Sequence, residues 1–103
     1  MIRKAFRMSV HGGHEEEYAR RHNPIWQELA DTLTAHGVSN YSIFLDRHTG
    51  DLFAYAEIES EDRWNAIAST AVCRRWWEYM RDAMPSKPDG EPITGPLDEV
   101  FHL

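Results

Sequence analysis

The 103-residue sequence has a single cysteine, Cys73, so an intrachain disulfide is impossible. It contains no apolar run that approaches the ~20 residues of a membrane span. The residues that follow Met1 also lack the apolar stretch of a signal peptide. These absences predict a soluble protein of a reducing compartment, and we expect it in the cytoplasm.

Basic residues are scarce. Lysine and arginine number 11 against 17 acidic residues, which gives a net charge of −6. Nucleic acid and anionic membranes are bound through basic patches, so this balance argues against either partner. A neutral or cationic small ligand fits the charge better.

Several cofactor motifs are missing as well. The sequence has no glycine-rich phosphate loop, no dinucleotide fingerprint and no Gly-x-Ser-x-Gly elbow. It has no His-Glu-x-x-His spacing or cysteine pair to hold zinc, although His14, Tyr18 and His22 share one helix face. Cys73 has no neighbouring base, which favours a structural role. The sequence therefore predicts neither a metal nor a cofactor.

With 42% hydrophobic residues and four tryptophans, the chain has enough apolar material for one folded domain over residues 1–103. Residues 2–10 alternate in polarity and predict a strand. A helical period begins at His14, and Gly37 is expected to end that helix. Pro24 predicts either a kink or a restart, with Asn23 as N-cap and Pro24 at the first helical position.

The second half repeats this alternation of strand and helix. Two strands, 38–47 and 51–59, are joined by a short turn, which predicts an antiparallel hairpin. Ser60 is expected to cap the next helix, and Ser69-Thr70 to interrupt it. Residues 85–96 hold four of the five prolines and predict an ordered loop or lid, before a last strand at 97–103.

This order, β-α-β-β-α-β, predicts an α+β fold of the ferredoxin-like type with an antiparallel sheet. Apolar residues occupy both parities of the hairpin strands, as in Ile43 and Leu45 against Phe44. In a sheet with one solvent-exposed face, apolar and polar residues should alternate along each strand. We therefore expect the second face to pack against another subunit, giving a homodimer in the form of a dimeric α+β barrel.

Tyr18 and His22 are spaced so that a phenol and an imidazole meet on one helix face, just before Pro24. Histidine titrates near neutral pH and can give and take a proton, which suggests acid–base chemistry. The alternative is a core tyrosine beside a half-exposed histidine.

Trp76 and Trp77 are adjacent, roughly 100° apart on a helix. They offer an apolar wall of the kind that packs against sugar rings, or else one core and one exposed indole. Tyr41 lies on the strand parity that faces the helices and could reach the same cleft. Trp26 and Trp64 sit on helical stripes and are expected in the core.

Four segments together resemble the L-rhamnose mutarotase family, and the similarity runs over nearly the whole chain. The segments are Arg20–Trp26 (RRHNPIW), Asn40-Tyr41, Trp64–Thr70 (WNAIAST) and Arg75–Met80 (RWWEYM). The resemblance implies that His22 is the proton donor. It also implies that the sugar is contacted by Tyr18, Tyr41, Trp76 and Trp77.

The resemblance further implies an isomerase that interconverts the α and β anomers of L-rhamnose or a similar monosaccharide. It implies a cytoplasmic homodimer serving bacterial rhamnose catabolism, without cofactor or metal. The Gly12-Gly13 turn and the 86–96 loop are less family-like; neither is expected to carry a site residue, although the loop could alter sugar preference. Related barrels leave two alternatives: a cofactor-free monooxygenase or haem-degrading enzyme, and a non-catalytic ligand-binding domain.

Overall fold

The computed structural model describes residues 1–103 and contains four strands and four helices. Each of the two expected helices is divided into two, and otherwise the order is the predicted β-α-β-β-α-β. In chain order the elements are β1 (Ile2–Ser9), α1 (Glu15–Arg21), α2 (Gln27–Ala35), β2 (Ser39–Leu45), β3 (Asp51–Ile58), α3 (Glu61–Ile67), α4 (Ala71–Met80) and β4 (Gly95–Leu97).

The strands form one antiparallel sheet in the order β2-β3-β1-β4, with the first strand of the chain in an interior position. β1 pairs with β3 from Ile2–Ile58 to Ser9–Asp51. The predicted hairpin between β2 and β3 is confirmed. Its turn is closed by hydrogen bonds from Asp46 N to Asp51 O and from Gly50 N to Asp46 O, both 2.8 Å.

The first helical region ends and restarts around Pro24. A restart was one of the two predicted alternatives, but its expected details were wrong: Asn23 is not the N-cap, and Pro24 is not the first helical residue, since α2 begins at Gln27. Trp26, not Asn23, precedes α2, and the Asn23–Pro24 peptide is cis. The Asn23 side chain donates instead to the carbonyl of Ala19 at 2.8 Å. Its amide is thus bound to the end of α1 and does not cap α2.

The second helical region follows its local capping signals. The Ser60 hydroxyl accepts a hydrogen bond from the Arg63 N–H at 3.1 Å, which confirms the predicted cap. The Thr70 hydroxyl accepts from Cys73 N at 3.3 Å and donates to Ile67 O at 2.7 Å. Thr70 therefore joins the end of α3 to the start of α4, at the predicted interruption.

The predicted last strand at 97–103 is wrong. Strand pairing is confined to Gly95–Leu97, opposite residues 5–7 of β1. Beyond it, the Arg3 Nε donates to Glu99 Oε1 at 2.8 Å, so a side-chain ion pair and not a backbone ladder holds the segment near β1. Val100 and Leu103 are exposed, since no core lies beside them.

Residues 85–94 are irregular, as predicted, but the last two residues of the predicted loop, Gly95 and Pro96, belong to β4. The irregular part is hydrogen-bonded. Lys87 N donates to Glu91 O at 2.8 Å, and Gly90 N donates to Lys87 O at 2.9 Å. Gly90 has a φ of +96°, a conformation that suits glycine.

Both helical layers pack on one face of the sheet. The core combines strand residues such as Phe6, Leu52 and Ile58 with helix residues such as Leu29 and Met80. On the opposite face Phe44 is 64% exposed and Phe53 39% exposed. The outer face of the hairpin thus exposes an apolar pair, as the pattern of β2 and β3 predicted. None of the helices has the length and apolar character needed to cross a membrane.

Candidate active site

A cavity of about 790 Å³ lies between the helices and the sheet. This volume falls within the range of small-molecule sites, and most of its lining side chains are hydrophobic. All five residues singled out from the sequence line it: Tyr18, His22, Tyr41, Trp76 and Trp77. They come from α1 and its C-cap, from β2 and from α4. The fold thus brings together groups that are far apart in the chain.

His22 is the C-cap of α1, and its ring is half-buried. Nδ1 lies 2.8 Å from the backbone oxygen of Tyr18. A carbonyl can only accept, so Nδ1 carries a proton and Nε2 is left free to exchange one. Burial lowers the pKa of His22 below its ordinary value, partly offset by the hydrogen bond to Tyr18 O. The neutral imidazole therefore dominates at neutral pH.

Tyr18 is buried and stacks on His22, with ring centroids 4.3 Å apart and planes 26° apart. Burial raises the pKa of the Tyr18 phenol. Burial likewise raises the pKa of Tyr41, which reaches the cavity from β2. Both phenols are therefore neutral and able to donate a hydrogen bond to a ligand oxygen.

Trp76 both lines the cavity and packs in the core. It is only 7% exposed, and its ring lies 5.1 Å from His22 and 5.0 Å from Trp26, nearly perpendicular to both. Trp77 is half-buried, with the Arg74 guanidinium 5.4 Å from its ring centroid. Both indoles therefore line the cavity, and neither is simply an exposed surface residue.

Trp26 and Trp64 pack against the core as predicted, but Trp64 also lines the cavity. Its ring lies 5.8 Å from those of Phe6 and Tyr41, and the Lys4 ammonium is 5.9 Å from its centroid. Trp64 is therefore both a packing residue and a cavity-lining residue.

The 86–96 loop, which was expected to carry no site residue, reaches the cavity. Glu91, Pro92 and Thr94 line the cavity, as does Asn65 of α3. Asn65 lies within one of the resembling segments and could have been found there. The loop residues carry no periodic pattern that would have indicated them.

Of the remaining candidates, Cys73 also lines the cavity but His14 does not. Cys73 is buried, and burial raises the pKa of its thiol to about 11, so it is a neutral thiol in keeping with a structural role. His14 precedes α1 and is not among the lining residues; its Nδ1 is buried without a hydrogen-bond partner. No group of three or more His, Cys, Asp or Glu side chains is placed to hold a metal ion.

The chain was compared with known proteins. The model of the L-rhamnose mutarotase family matches residues 3–103. An L-rhamnose mutarotase of Opitutus terrae is 63% identical, and one of Citrobacter koseri 60%, each over 100% of this chain and 99% of the relative.

Solved structures point to the same family as the sequence relatives. The crystal structure of L-rhamnose mutarotase FA22100 from Formosa agariphila superposes with a TM-score of 0.92 at 37% identity, covering 100% of this chain and 99% of that one. A dimeric ferredoxin-like protein from an uncultured marine organism has a TM-score of 0.62 at 14% identity, covering 98% and 97%, and shows the fold alone. The chain belongs to the L-rhamnose mutarotase family.

Proposed function

We propose that this chain is an isomerase that interconverts the α and β anomers of L-rhamnopyranose. One observation carries the proposal: a histidine with a single free ring nitrogen lies between a phenol and an indole in a largely apolar cavity. Relatives about 60% identical over the full chain bear the name of this activity. They favour it over the monooxygenase and ligand-binding alternatives.

The reaction transfers protons and changes no oxidation state. Ring opening moves the proton of the anomeric hydroxyl to the ring oxygen as the bond between C1 and that oxygen breaks. The open-chain aldehyde turns its other carbonyl face by rotation about C1–C2. Reclosure reverses the proton transfers and gives the other anomer. No redox group is required, so we propose no cofactor and no metal.

We assign both proton transfers to Nε2 of His22. The neutral ring takes the anomeric hydroxyl proton, and the resulting imidazolium is the proton donor to the ring oxygen. The hydrogen bond from Nδ1 to Tyr18 O supports this role, because it holds the ring in one orientation and one tautomer.

We assign sugar binding to Tyr18, Tyr41, Trp76 and Trp77. The indoles offer apolar surface to the C–H face and to the methyl group of a 6-deoxy sugar. The two neutral phenols can donate hydrogen bonds to its oxygens, since burial raises the pKa of each. Asn65 and Glu91 add polar groups to the cavity lining.

We also propose a homodimer that buries the outer sheet face. Phe44 and Phe53 are paired across β2 and β3 and both are exposed. An exposed apolar patch on a sheet is typical of an interface between subunits. A cytoplasmic location in rhamnose catabolism is proposed as well, where the single buried Cys73 would remain reduced. The net charge of −6 offers no support for a nucleic-acid partner.

The test is exchange between the anomeric protons of L-rhamnose, followed by NMR with and without the protein. We expect the protein to accelerate exchange at catalytic concentration. A protein that binds L-rhamnose but leaves the exchange rate unchanged would be a ligand-binding domain. Oxygen uptake on aromatic substrates, without effect on the anomers, would favour the monooxygenase alternative.

A further inference from the structure

Arg21, the last residue of α1, carries a charge in a nearly buried position. Its side chain is only 10% exposed. Arginine is buried to this extent only when its donors are paired. The partners of Arg21 come from two different elements, which suggests more than a local role.

The guanidinium connects the end of α1 to the end of α4. Nε donates to Glu17 at 2.7 Å within α1. Nη1 donates to the carbonyl oxygen of Tyr79 and to Asp82 Oδ1, both at 2.8 Å, and Nη2 donates to Asp82 Oδ2 at 3.1 Å. The same group lies 4.8 Å from the centroid of the Tyr79 ring.

These contacts also place a cation at the end of α4. The last turn of α4 contains no basic residue, and the guanidinium of its C-cap, Arg81, donates to Glu78 and to the Pro88 carbonyl. Carbonyl groups at a helix C-terminus favour a cation, and Arg21 donates to the Tyr79 carbonyl from another helix. Its planar, bidentate contact with Asp82 fixes orientation as well as distance.

The two helix ends joined in this way carry the two sides of the candidate site. His22 follows Arg21 directly, and α4 carries Trp76 and Trp77. The His22 and Trp76 rings lie 5.1 Å apart at 89°. A shift of α1 along α4 would therefore move the imidazole relative to the indole wall.

We infer that Arg21 is a positioning residue that sets the place of His22 against Trp76 and hence against the bound sugar. This inference rests on the proposed role of His22. Arg21 is not among the residues lining the cavity, so it acts through its neighbours and not on the sugar.

The test compares Arg21→Lys and Arg21→Met with Arg20→Gln. Arg20 is the preceding residue and shares Glu17 as a partner, but it is exposed and does not reach Asp82. Lysine keeps the charge at position 21 and loses the bidentate geometry. Anomer exchange is measured at saturating and at low L-rhamnose, well below each variant's melting temperature.

We expect kcat of Arg21→Lys and Arg21→Met to fall roughly 10- to 100-fold, since a displacement of about 1 Å can cost that much. KM should change less, and Arg20→Gln should match the parent. A purely stabilising residue would lower the melting temperature and leave kcat intact. That result, or full activity in Arg21→Lys, would overturn the inference.

A second readout does not depend on catalysis. The NMR shifts of the His22 ring protons report its place beside the Trp76 ring current, and we expect them to move in both Arg21 variants. If Arg21→Met does not fold, Asp82→Ala removes the far partner from a surface position and serves instead. Unmoved His22 shifts in folded variants would refute positioning, even if the parent proves inactive on L-rhamnose. Moved shifts in a protein that does not exchange anomers would refute only the proposed function.

Discussion

The carbonyl oxygen of Tyr18 and Nδ1 of His22 lie 2.8 Å apart, and this hydrogen bond selects Nε2 as the nitrogen that can exchange protons. The bond follows from the helix itself, because Tyr18 and His22 are four residues apart and His22 is the C-cap of α1. A terminal carbonyl that would otherwise need water thus sets the tautomer of the candidate catalytic group.

Replacing His22 with alanine tests its role most directly. The ring is half-buried at a helix end, so we expect His22→Ala to fold. Loss of a general acid–base group should slow anomer exchange by roughly 10²–10⁴-fold. The rate is measured by NMR exchange between the anomeric protons of L-rhamnose.

His36 offers a matched control within the same chain. It is the C-cap of α2, is half-buried, and its Nδ1 lies 2.7 Å from the Thr32 carbonyl oxygen, yet it is not among the cavity-lining residues. His36→Ala should exchange anomers at the parent rate. Tyr18→Phe should lose less than His22→Ala, because it leaves His22 able to react. A folded His22→Ala protein with the parent rate would remove His22 from the mechanism.

Substitution of Trp77 tests the indole wall without leaving a cavity in the core. Trp76 is almost fully buried, so truncating it to alanine would cost about 3–5 kcal/mol of stability. Trp77 is only half-buried, and Trp77→Ala should keep the fold. We expect its affinity for L-rhamnose to weaken by roughly 0.5–1.5 kcal/mol, measured by calorimetric titration. The affinity of Trp77→Phe should lie between those of the parent and Trp77→Ala. Unchanged affinity in both Trp77→Ala and Trp76→Phe would assign both residues to packing alone.

Local signals in the sequence predicted much of this fold. The cap at Ser60, the interruption at Ser69-Thr70 and the end of α2 near Gly37 each depend on a side chain or glycine and its nearest neighbours. The N-cap at Trp26 was missed although the competing contact is local, since the Asn23 amide binds the Ala19 carbonyl four residues earlier. The end of strand pairing at Leu97 is different, because the segment beyond it is held by the tertiary contact between Arg3 and Glu99.

The candidate site, like the fold, was predictable from the sequence only in part. Helical spacing brought Tyr18 and His22 together, strand parity indicated Tyr41, and adjacency indicated the two tryptophans; the resemblance implied their roles. Glu91 and Thr94 lie in an irregular segment, whose path over the cavity is set by packing and not by any period in the sequence. Their place on the wall could be learned only from the structure.

The homodimer is tested by placing a charge on the outer sheet face. Phe44 and Phe53 lie opposite each other across β2 and β3. A carboxylate at either position would be buried unpaired in a sheet-to-sheet interface, which is strongly unfavourable. We expect Phe44→Glu and Phe53→Glu to sediment as monomers where the parent sediments as a dimer. Thr34→Glu, at an exposed position of α2, should leave the assembly unchanged. A parent protein that is monomeric at micromolar concentration would contradict the proposal.

Gly37 should be sensitive to substitution because of its backbone conformation. Its φ is +80°, and an added Cβ would lie 2.5 Å from the Glu59 carboxylate oxygen. We expect Gly37→Ala to lower the free energy of unfolding by about 1–2 kcal/mol. Gly12→Ala is the control, since nothing lies within 4 Å of its added Cβ and its φ is not positive. Thermal unfolding of the two variants checks this, and equal melting temperatures would contradict it.

The pH dependence of activity should reflect the lowered pKa of His22. Burial disfavours the charged imidazolium, so the ring stays neutral down to a pH below the ordinary histidine value of 6.5. Because the neutral ring starts the reaction, kcat/KM should be flat near neutrality and fall as the pH drops through the lowered pKa. At high pH the plateau should extend past the ordinary tyrosine value of 10.0, since burial raises the pKa of Tyr18 and Tyr41.

The profile is measured by NMR exchange after subtracting the uncatalysed rate at each pH, and NMR titration of the His22 ring protons gives its pKa independently. An activity that instead rises as the pH falls below 6.5 would mean that the imidazolium starts the reaction, and the order of the two proton transfers at Nε2 would be reversed.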